Sequence, residues 1–422
     1  MSNKAASKTM KLKLRFPEFR ATPNWKEKSL AEALSPIVRE KKKPVDAYTG
    51  LGMRSHGKGT FLKNLVNPEK NAMEYLYEVQ HDDLIVSITF AWEGAIAIAK
   101  PTDTGALVSH RFPTYVFKRD TAIPDFFRYI ILDKQFVYNL GVISPGGAGR
   151  NRVLNKNDFL KLGVFLPEVT EQKKIAECLN SLDDLIAAQG QKLDAFKAHK
   201  NGLMQQLFPR ASETVPRLRF PEFRNAPAWD KTTIGAIGSF YYGKSAPKWS
   251  LEKDAPTPCV RYGELYTKFG PTITETYSRT NIDPKNLRFS KGGEILVPRV
   301  GEKPEDFGKY CCYLTLGNIA IGEMISVFET EQNPLFYTYY FRNLYRQFAK
   351  VVEGQHVKNL YYAELEPLPI HRPSLHEQQR IAACLSSLDD LITPETQKLA
   401  TLKTHKQSLM QQLFPTLEEV ES

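Results

Sequence analysis

EQKKIAECLNSLDDLIAAQGQKLDAFKAHKNGLMQQLFP, Glu171 to Pro209, returns 206 residues later as EQQRIAACLSSLDDLITPETQKLATLKTHKQSLMQQLFP, Glu377 to Pro415. Aligned without gaps, 25 of the 39 positions are identical, so a whole unit has been duplicated; the period is far too long for a solenoid. In the first copy Ile175, Leu179, Leu182, Ile186, Leu193, Phe196, Leu203 and Leu207 fall on strict 3-4 spacing, with Gln189 and Lys200 at the two missing beats. The second copy repeats the stripe with Ile381, Leu385, Leu388, Ile392, Leu399, Leu402, Leu409 and Leu413, polar at Glu395 and Lys406. A narrow seam sustained over more than four heptads predicts a coiled coil, about 58 Å long at 1.5 Å per residue. The other copy is the nearest partner of matching length; antiparallel pairing would put the globular segments at opposite ends of a rod, parallel pairing side by side. Thr393-Pro394-Glu395 reads as a fresh helix start, and Gly190 lies at the matching place, so a kink or short turn is expected in mid-helix.

Outward from the helices, LRFPEFRATPNW (Leu14 to Trp25) returns as LRFPEFRNAPAW (Leu218 to Trp229). Each copy is therefore an entry motif, a globular segment and a long helix. IPDFFRY (Ile123 to Tyr129) weakly echoes NPLFYTY (Asn333 to Tyr339), with a connection to the helix four residues longer in the first copy. The helices are neutral, whereas residues 1–170 carry 26 basic against 17 acidic side chains and residues 210–376 carry 22 against 18. The overall +10 thus belongs to the globular segments, which suits a polyanion such as DNA. Five scattered cysteines argue against a disulfide scaffold and for a reducing, cytosolic setting. With no signal-peptide core and no apolar run of membrane length, a soluble, cytoplasmic protein without membrane association is expected.

Motifs for catalysis fall short. Gly52 to Lys58 matches seven positions of a phosphate-binding loop, but Gly59 stands where Ser or Thr should hold magnesium; a flexible basic loop is the plainer reading. Asn333-Pro334-Leu335-Phe336 lacks the second proline of the Asn-Pro-Pro-Phe signature of amino-methyltransferases, and no glycine-rich cofactor loop precedes it. His110, His356, His371 and His376 have no metal spacing, and Cys311-Cys312 has no second cysteine pair. No catalytic residue and no metal site is expected.

Just before each long helix lies a polar, glycine-containing segment: SPGGAGRNRVLNKNDF (Ser144 to Phe159) and VEGQHVKNLYYAEL (Val352 to Leu365). Arg150, Arg152 and Lys156 can bond guanine edges or phosphates, and Asn151 and Asn155 can pair bidentately with adenine. Gln355, His356, Lys358 and Asn359 offer a different set at the corresponding place. Further candidates are Lys41, Lys42, Lys43, Arg54, His56 and Lys58 in the first copy, and Lys244, Lys248, Trp249, Arg299 and Lys303 in the second.

Duplicated in order, the Leu-Arg-Phe-Pro-Glu-Phe entry with Trp25 and Trp229, the Glu-Gln-x-x-Ile-Ala-x-x-Leu-x-x-Leu-Asp helix opening and the Leu-Met-Gln-Gln-Leu-Phe-Pro ending make a specific combination. Over essentially its whole length the chain resembles the specificity subunits of type I restriction-modification systems. The resemblance implies an α+β protein with two α/β target-recognition domains, 25–167 and 229–373, separated by helical spacers 168–209 and 374–415 that pack as an antiparallel coiled coil. An N-terminal arm (1–24), a linker carrying the repeated entry motif (210–228) and an acidic tail (416–422) complete it. It further implies that each domain reads one half of a bipartite double-stranded DNA target. The chain itself would bind no cofactor. Its partners would be two methyltransferase subunits using S-adenosylmethionine and, in the full complex, two restriction subunits using ATP and magnesium.

Overall fold

The computed structural model describes residues 9–146, 152–210 and 213–418. The chain divides into two compact units: the first ends at Ala188 and resumes at Ala400, and the second is Gln189–Leu399. Each unit therefore holds one globular segment, the earlier part of its own long helix and the last part of the other copy's helix.

The first unit contains a five-stranded sheet in the order Glu40–Lys42, Tyr75–Glu78, Leu107–Val108, Tyr48–Met53, Thr60–Val66. Beside it lies an antiparallel four-stranded sheet in the order Leu34–Ile37, Thr114–Phe117, Leu84–Val86, Ile96–Ile98. The second unit has a five-stranded sheet, Gly238–Tyr242, Ile325–Thr330, Glu294–Pro298, Cys312–Leu314, Thr272–Ile273, and a three-stranded one built around Thr257–Val260. The sheets differ, but the frame that joins them to the helices is repeated. Lys26–Ser29 pairs antiparallel with Gly163–Leu166, and Asp230–Thr233 pairs likewise with Pro369–Arg372, so each entry strand lies against the strand that leads into the long helix. Thr9–Lys11 also pairs with Thr416–Glu418, a contact between the two ends of the first unit that the sequence did not foretell.

Apolar burial follows the same duplicated plan. Trp25 packs edge-on against Phe126 and Phe414, and Trp229 against Phe336 and Phe208, within large buried clusters that include Leu179 and Leu413 in one unit and Leu207 and Leu385 in the other. Asn333 proves to be a helix cap: its side chain accepts from Phe336 N at 2.8 Å and starts the helix Pro334–Asn343. Gln378 accepts from the backbone N–H of Asn333 at 3.0 Å, and Gln172 from that of Ile123 at 3.1 Å, which docks both short helices onto the long ones.

The long helices, Val169–Leu207 and Leu375–Leu413, are unbroken. Of the kink or short turn expected near Gly190 and Pro394, the turn is absent: both helices run on, and Pro394 sits inside its own. Proline there removes one hydrogen bond and costs about 3 kcal/mol in an isolated helix, but Pro394 and Asp390, whose carbonyl loses its donor, are both exposed to water. Gln189 and Lys192 bond to Glu395 and fasten that same turn from the facing helix. Every position of the two seams is buried or half-buried. The polar beats carry the register: within the first unit Lys406 reaches Asp183 at 2.5 and 2.7 Å, and within the second Lys200 reaches Asp389 at 2.5 and 2.6 Å. The early part of one helix thus meets the late part of the other in each unit, which is antiparallel pairing.

The cores are rich in tyrosine, and this sets an alkaline limit. Burial pushes the hydroxyls of Tyr115 and Tyr340 up to about 12 and raises those of Tyr129, Tyr266, Tyr337 and Tyr339 as well. A raised folded-state pKa gives stability that is complete below the unfolded value near 10 and is lost as pH climbs toward 12. Each such tyrosine subtracts about 1.4 kcal/mol per pH unit across that window. Denaturation midpoints recorded at pH 9, 10 and 11 should therefore be flat at first and then fall steeply.

Candidate nucleic-acid interface

In the second unit the central strand Glu294–Pro298 runs out at Arg299, whose N–H donates to Met324 O at 3.1 Å and whose carbonyl accepts from Leu360 N at 2.9 Å. Immediately beyond, Val300–Gly301 pairs antiparallel with Lys358–Asn359. Glu353 and Asn359 exchange both backbone hydrogen bonds at 2.9 Å, so the polar segment before the helix is a small hairpin. Its turn needs glycine: Gly354 has φ +98°, and a Cβ there would lie 2.3 Å from Val357 O. Gln355 and His356 are exposed at the tip, and Lys358 and Asn359 are half-buried on the returning strand. The structure thus brings Arg299 together with the hairpin that carries Gln355, His356, Lys358 and Asn359; Lys303 lies exposed two residues past Gly301.

The guanidinium of Arg299 lies 4.4 Å from the ring centroid of Tyr242 and 5.5 Å from that of Tyr361. Tyr242 rests in turn on Tyr362 at 4.5 Å, and Phe240 stacks on Tyr362 at 5.6 Å. Partial burial raises the Tyr242 hydroxyl further above its ordinary value. Lys244 is exposed two residues beyond Tyr242, whereas Lys248 and the 76% exposed Trp249 stand on a short turn that is tied to the three-stranded sheet through Ser250 and Thr280. No hydrogen bond or ion pair joins those two to the Arg299 group among the described residues.

The first unit has the same construction at the same place. Leu154 N donates to Ile88 O at 2.8 Å, as Leu360 N does to Arg299 O, and Gly146 and Arg152 form the antiparallel bridge that Glu353 and Asn359 form in the other unit. Arg150 and Asn151 lie outside the described residues. The Arg152 guanidinium sits 5.2 Å from the ring of Trp92. The hairpin turn between Tyr48–Met53 and Thr60–Val66 is fastened to the short helix Ala91–Glu93 that carries Trp92: His56 N donates to Glu93 O at 2.7 Å and Gly57 N to Gly94 O at 2.9 Å. The stretch that mimics a phosphate-binding loop is therefore a tethered hairpin turn, followed by a strand and not a helix, and Arg54, His56 and Lys58 lie on it, exposed. Arg54 is itself committed to Thr60 O at 3.1 Å and to the Phe61 ring at 4.9 Å.

The remaining candidates are placed differently. Asn155 caps the helix Lys156–Lys161 by accepting from Asn157 N at 3.0 Å, which occupies the oxygen that adenine pairing would need; Lys156 is exposed beside it. Lys41 and Lys42 lie on the edge strand Glu40–Lys42, opposite the Arg54 hairpin in the five-stranded sheet, and Lys43 follows directly. There Lys41 pairs with Glu78 at 3.2 Å and Lys43 donates to Asn71 O at 2.7 Å. Sequence reading missed the aromatic supports Trp92, Tyr242 and Tyr361; the paired tyrosines 241–242 and 361–362 were the available signal. Among the described residues no cluster of His, Cys, Asp and Glu could hold a metal ion, and no helix is long and apolar enough to cross a membrane.

The family model for the type I restriction modification DNA specificity domain matches twice, at residues 40–197 and 228–404. Among relatives from Methanocaldococcus jannaschii, the protein named type I restriction enzyme MjaX specificity subunit is 25% identical over 62% of this chain and 60% of its own length. The MjaVIII specificity subunit is 23% identical over 62% of this chain and 63% of its own. The chain therefore spans less than two thirds of these relatives. Among solved structures, the type I restriction-modification S subunit from M. genitalium superposes with a TM-score of 0.62 at 14% identity, covering 97% of this chain and 100% of that one. A chain from a structure of type I complex assembly and conformational transition gives 0.51 at 17% identity, covering 93% and 98%. These two likenesses speak to the fold.

Proposed function

Because this chain belongs to the type I restriction modification DNA specificity domain family, we propose that it is the non-catalytic addressing subunit of such a system. Each unit reads one half of a bipartite double-stranded target, and partner subunits methylate adenine or restrict at the address. Two methyltransferase subunits bring S-adenosylmethionine, two restriction subunits use ATP and magnesium, and the assembly works in the cytoplasm. The observation that carries this reading is an antiparallel bridge, Gly146 with Arg152 and Glu353 with Asn359, anchored on a strand end in both units and enclosing segments whose sequences differ. A shared frame with divergent tips is what reading two different half-sites requires. Uneven basicity on the globular segments supports a polyanionic ligand, and tethering two weak half-site contacts raises affinity through effective concentration.

The test is to co-express the chain with its methyltransferase partner and map methylated adenines across the host genome. A split motif with a fixed undefined spacer is expected; a continuous motif would remove the two-reader arrangement. Exchanging residues 25–167 for another domain of the family should change one half of the motif only. Arg150→Ala with Arg152→Ala should weaken recognition of the first half-site by about 1–3 kcal/mol for each base that either arginine reads. Unaltered affinity and preference would remove that loop from the interface.

A further inference from the structure

Arg299 has features that separate it from the other basic candidates. Its backbone is fixed on both sides, by Met324 O and Leu360 N, and its guanidinium is held between Tyr242 and Tyr361. Its Nε is fully buried without a hydrogen-bond partner, and among the described residues no carboxylate or carbonyl accepts from its side chain. Among the candidates Arg54, by contrast, is committed to Thr60 O, and elsewhere in the chain Arg39, Arg219 and Arg279 each bond two or more protein oxygens. An arginine that is stiffened by aromatic rings but left without an acceptor keeps its donor fork for something outside the chain. The rings immobilise a long side chain before binding, so little entropy remains to be lost on contact. At the equivalent strand end the first unit has Ile88, so this donor group is a place where the two frames differ in chemistry.

We propose that Arg299 is a base-reading, specificity-determining residue of the second unit and that it recognises a guanine. With Nε turned inward, the two terminal nitrogens form an end-on pair that matches the O6 and N7 acceptors of guanine in the major groove. A phosphate would also accept from this fork, but it would not require the rigid support, and its loss would weaken all sequences alike. This inference rests on the DNA-addressing function proposed above and adds the base and the residue.

The experiment uses complexes of the full chain with its methyltransferase partner, carrying Arg299, Arg299→Ala or Arg299→Lys. Each is offered a duplex library in which one half of the target is varied and the other is fixed, and methylated products are sequenced. The native complex should demand guanine at one position of one half. Arg299→Ala should lower that preference roughly ten- to a hundredfold and leave the other half unchanged. Arg299→Lys keeps the charge and much of the length but not the fork, so it should fall between; it decides the matter if the alanine complex does not assemble. Preserved base preferences in these variants, or equal weakening of every sequence, would overturn the proposal. A native split motif in which the half read by the second unit, the half kept when residues 25–167 are exchanged, has no guanine on either strand would also end it and leave the addressing function standing. A native complex that recognises no split motif would sink that function first.

Discussion

Glu377→Ala is expected to cost the second unit about 3–5 kcal/mol, measured by urea denaturation, because it strands a charge in the interior. The side chain of Glu377 is 2% exposed and that of Arg219 8%. The carboxylate accepts from Arg219 Nε at 2.8 Å and Nη2 at 2.7 Å, and Nη1 donates to Ala226 O at 2.7 Å. Arg219 belongs to the entry motif, and Glu377 to the first turn of the long helix, where the helix dipole favours a carboxylate. The fork therefore pins the start of the globular segment to the start of the helix that follows it. The first unit repeats the arrangement with Arg15 and Glu171 at 2.8 and 2.7 Å. Arg219→Lys should recover little, since an ammonium cannot make the two parallel bonds. Arg219→Ala with Glu377→Ala should cost less than the two single changes together. A loss below about 1 kcal/mol for Glu377→Ala would mean that the entry motif is held by its aromatic packing alone.

This pair also marks where sequence reading stopped. The duplicated landmarks and the seams were legible because identity at a fixed offset and a 3-4 spacing are local properties of the chain. That Lys200 and Lys406 interrupt the seams was legible too. Their partners Asp389 and Asp183 were not, because they lie 189 and 223 residues away and on the facing helix. A kink or short turn was expected at Pro394, and the turn is absent for a related reason: local propensity favours a restart, but cross-helix bonds to Glu395 and seam packing on both sides hold one helix. For the candidate interface, the hairpin segments were found by their glycine and polar character. Arg299 was found only as a basic residue, since its junction with the hairpin depends on the pairing of Val300 with Asn359, which are distant in the chain. Lys41 to Lys43 were chosen on charge alone, and charge does not say that Lys41 is already paired with Glu78 or that Lys43 is bonded to Asn71 O.

Lys200→Asp should be nearly as damaging as the loss of Glu377, because it sets two carboxylates against each other in a half-buried seam. Lys200 is 9% exposed, lies 5.0 Å from the centre of the Tyr339 ring and bonds both oxygens of Asp389, which also accepts from the Tyr339 hydroxyl at 2.6 Å. Burial lowers the Lys200 pKa even though Asp389 opposes the shift, so desolvation already offsets the attraction within the pair. With a carboxylate in place of the ammonium, desolvation and repulsion act in the same direction, and a loss of about 3 kcal/mol or more is expected. The charge-exchanged double variant, Lys200→Asp with Asp389→Lys, restores opposite signs across the seam and should recover a large part of that loss, though not the Tyr339 bond as it stands. The equivalent change at Lys406 should cost less, because Asp183 is 45% exposed against 21% for Asp389 and water can solvate the new carboxylate there. Denaturation of the single, exchanged and Lys406 variants in parallel separates the two explanations. Recovery in the exchanged variant identifies the pair as the element that sets antiparallel register, whereas equal losses in the single and exchanged variants would assign the register to the apolar seam alone.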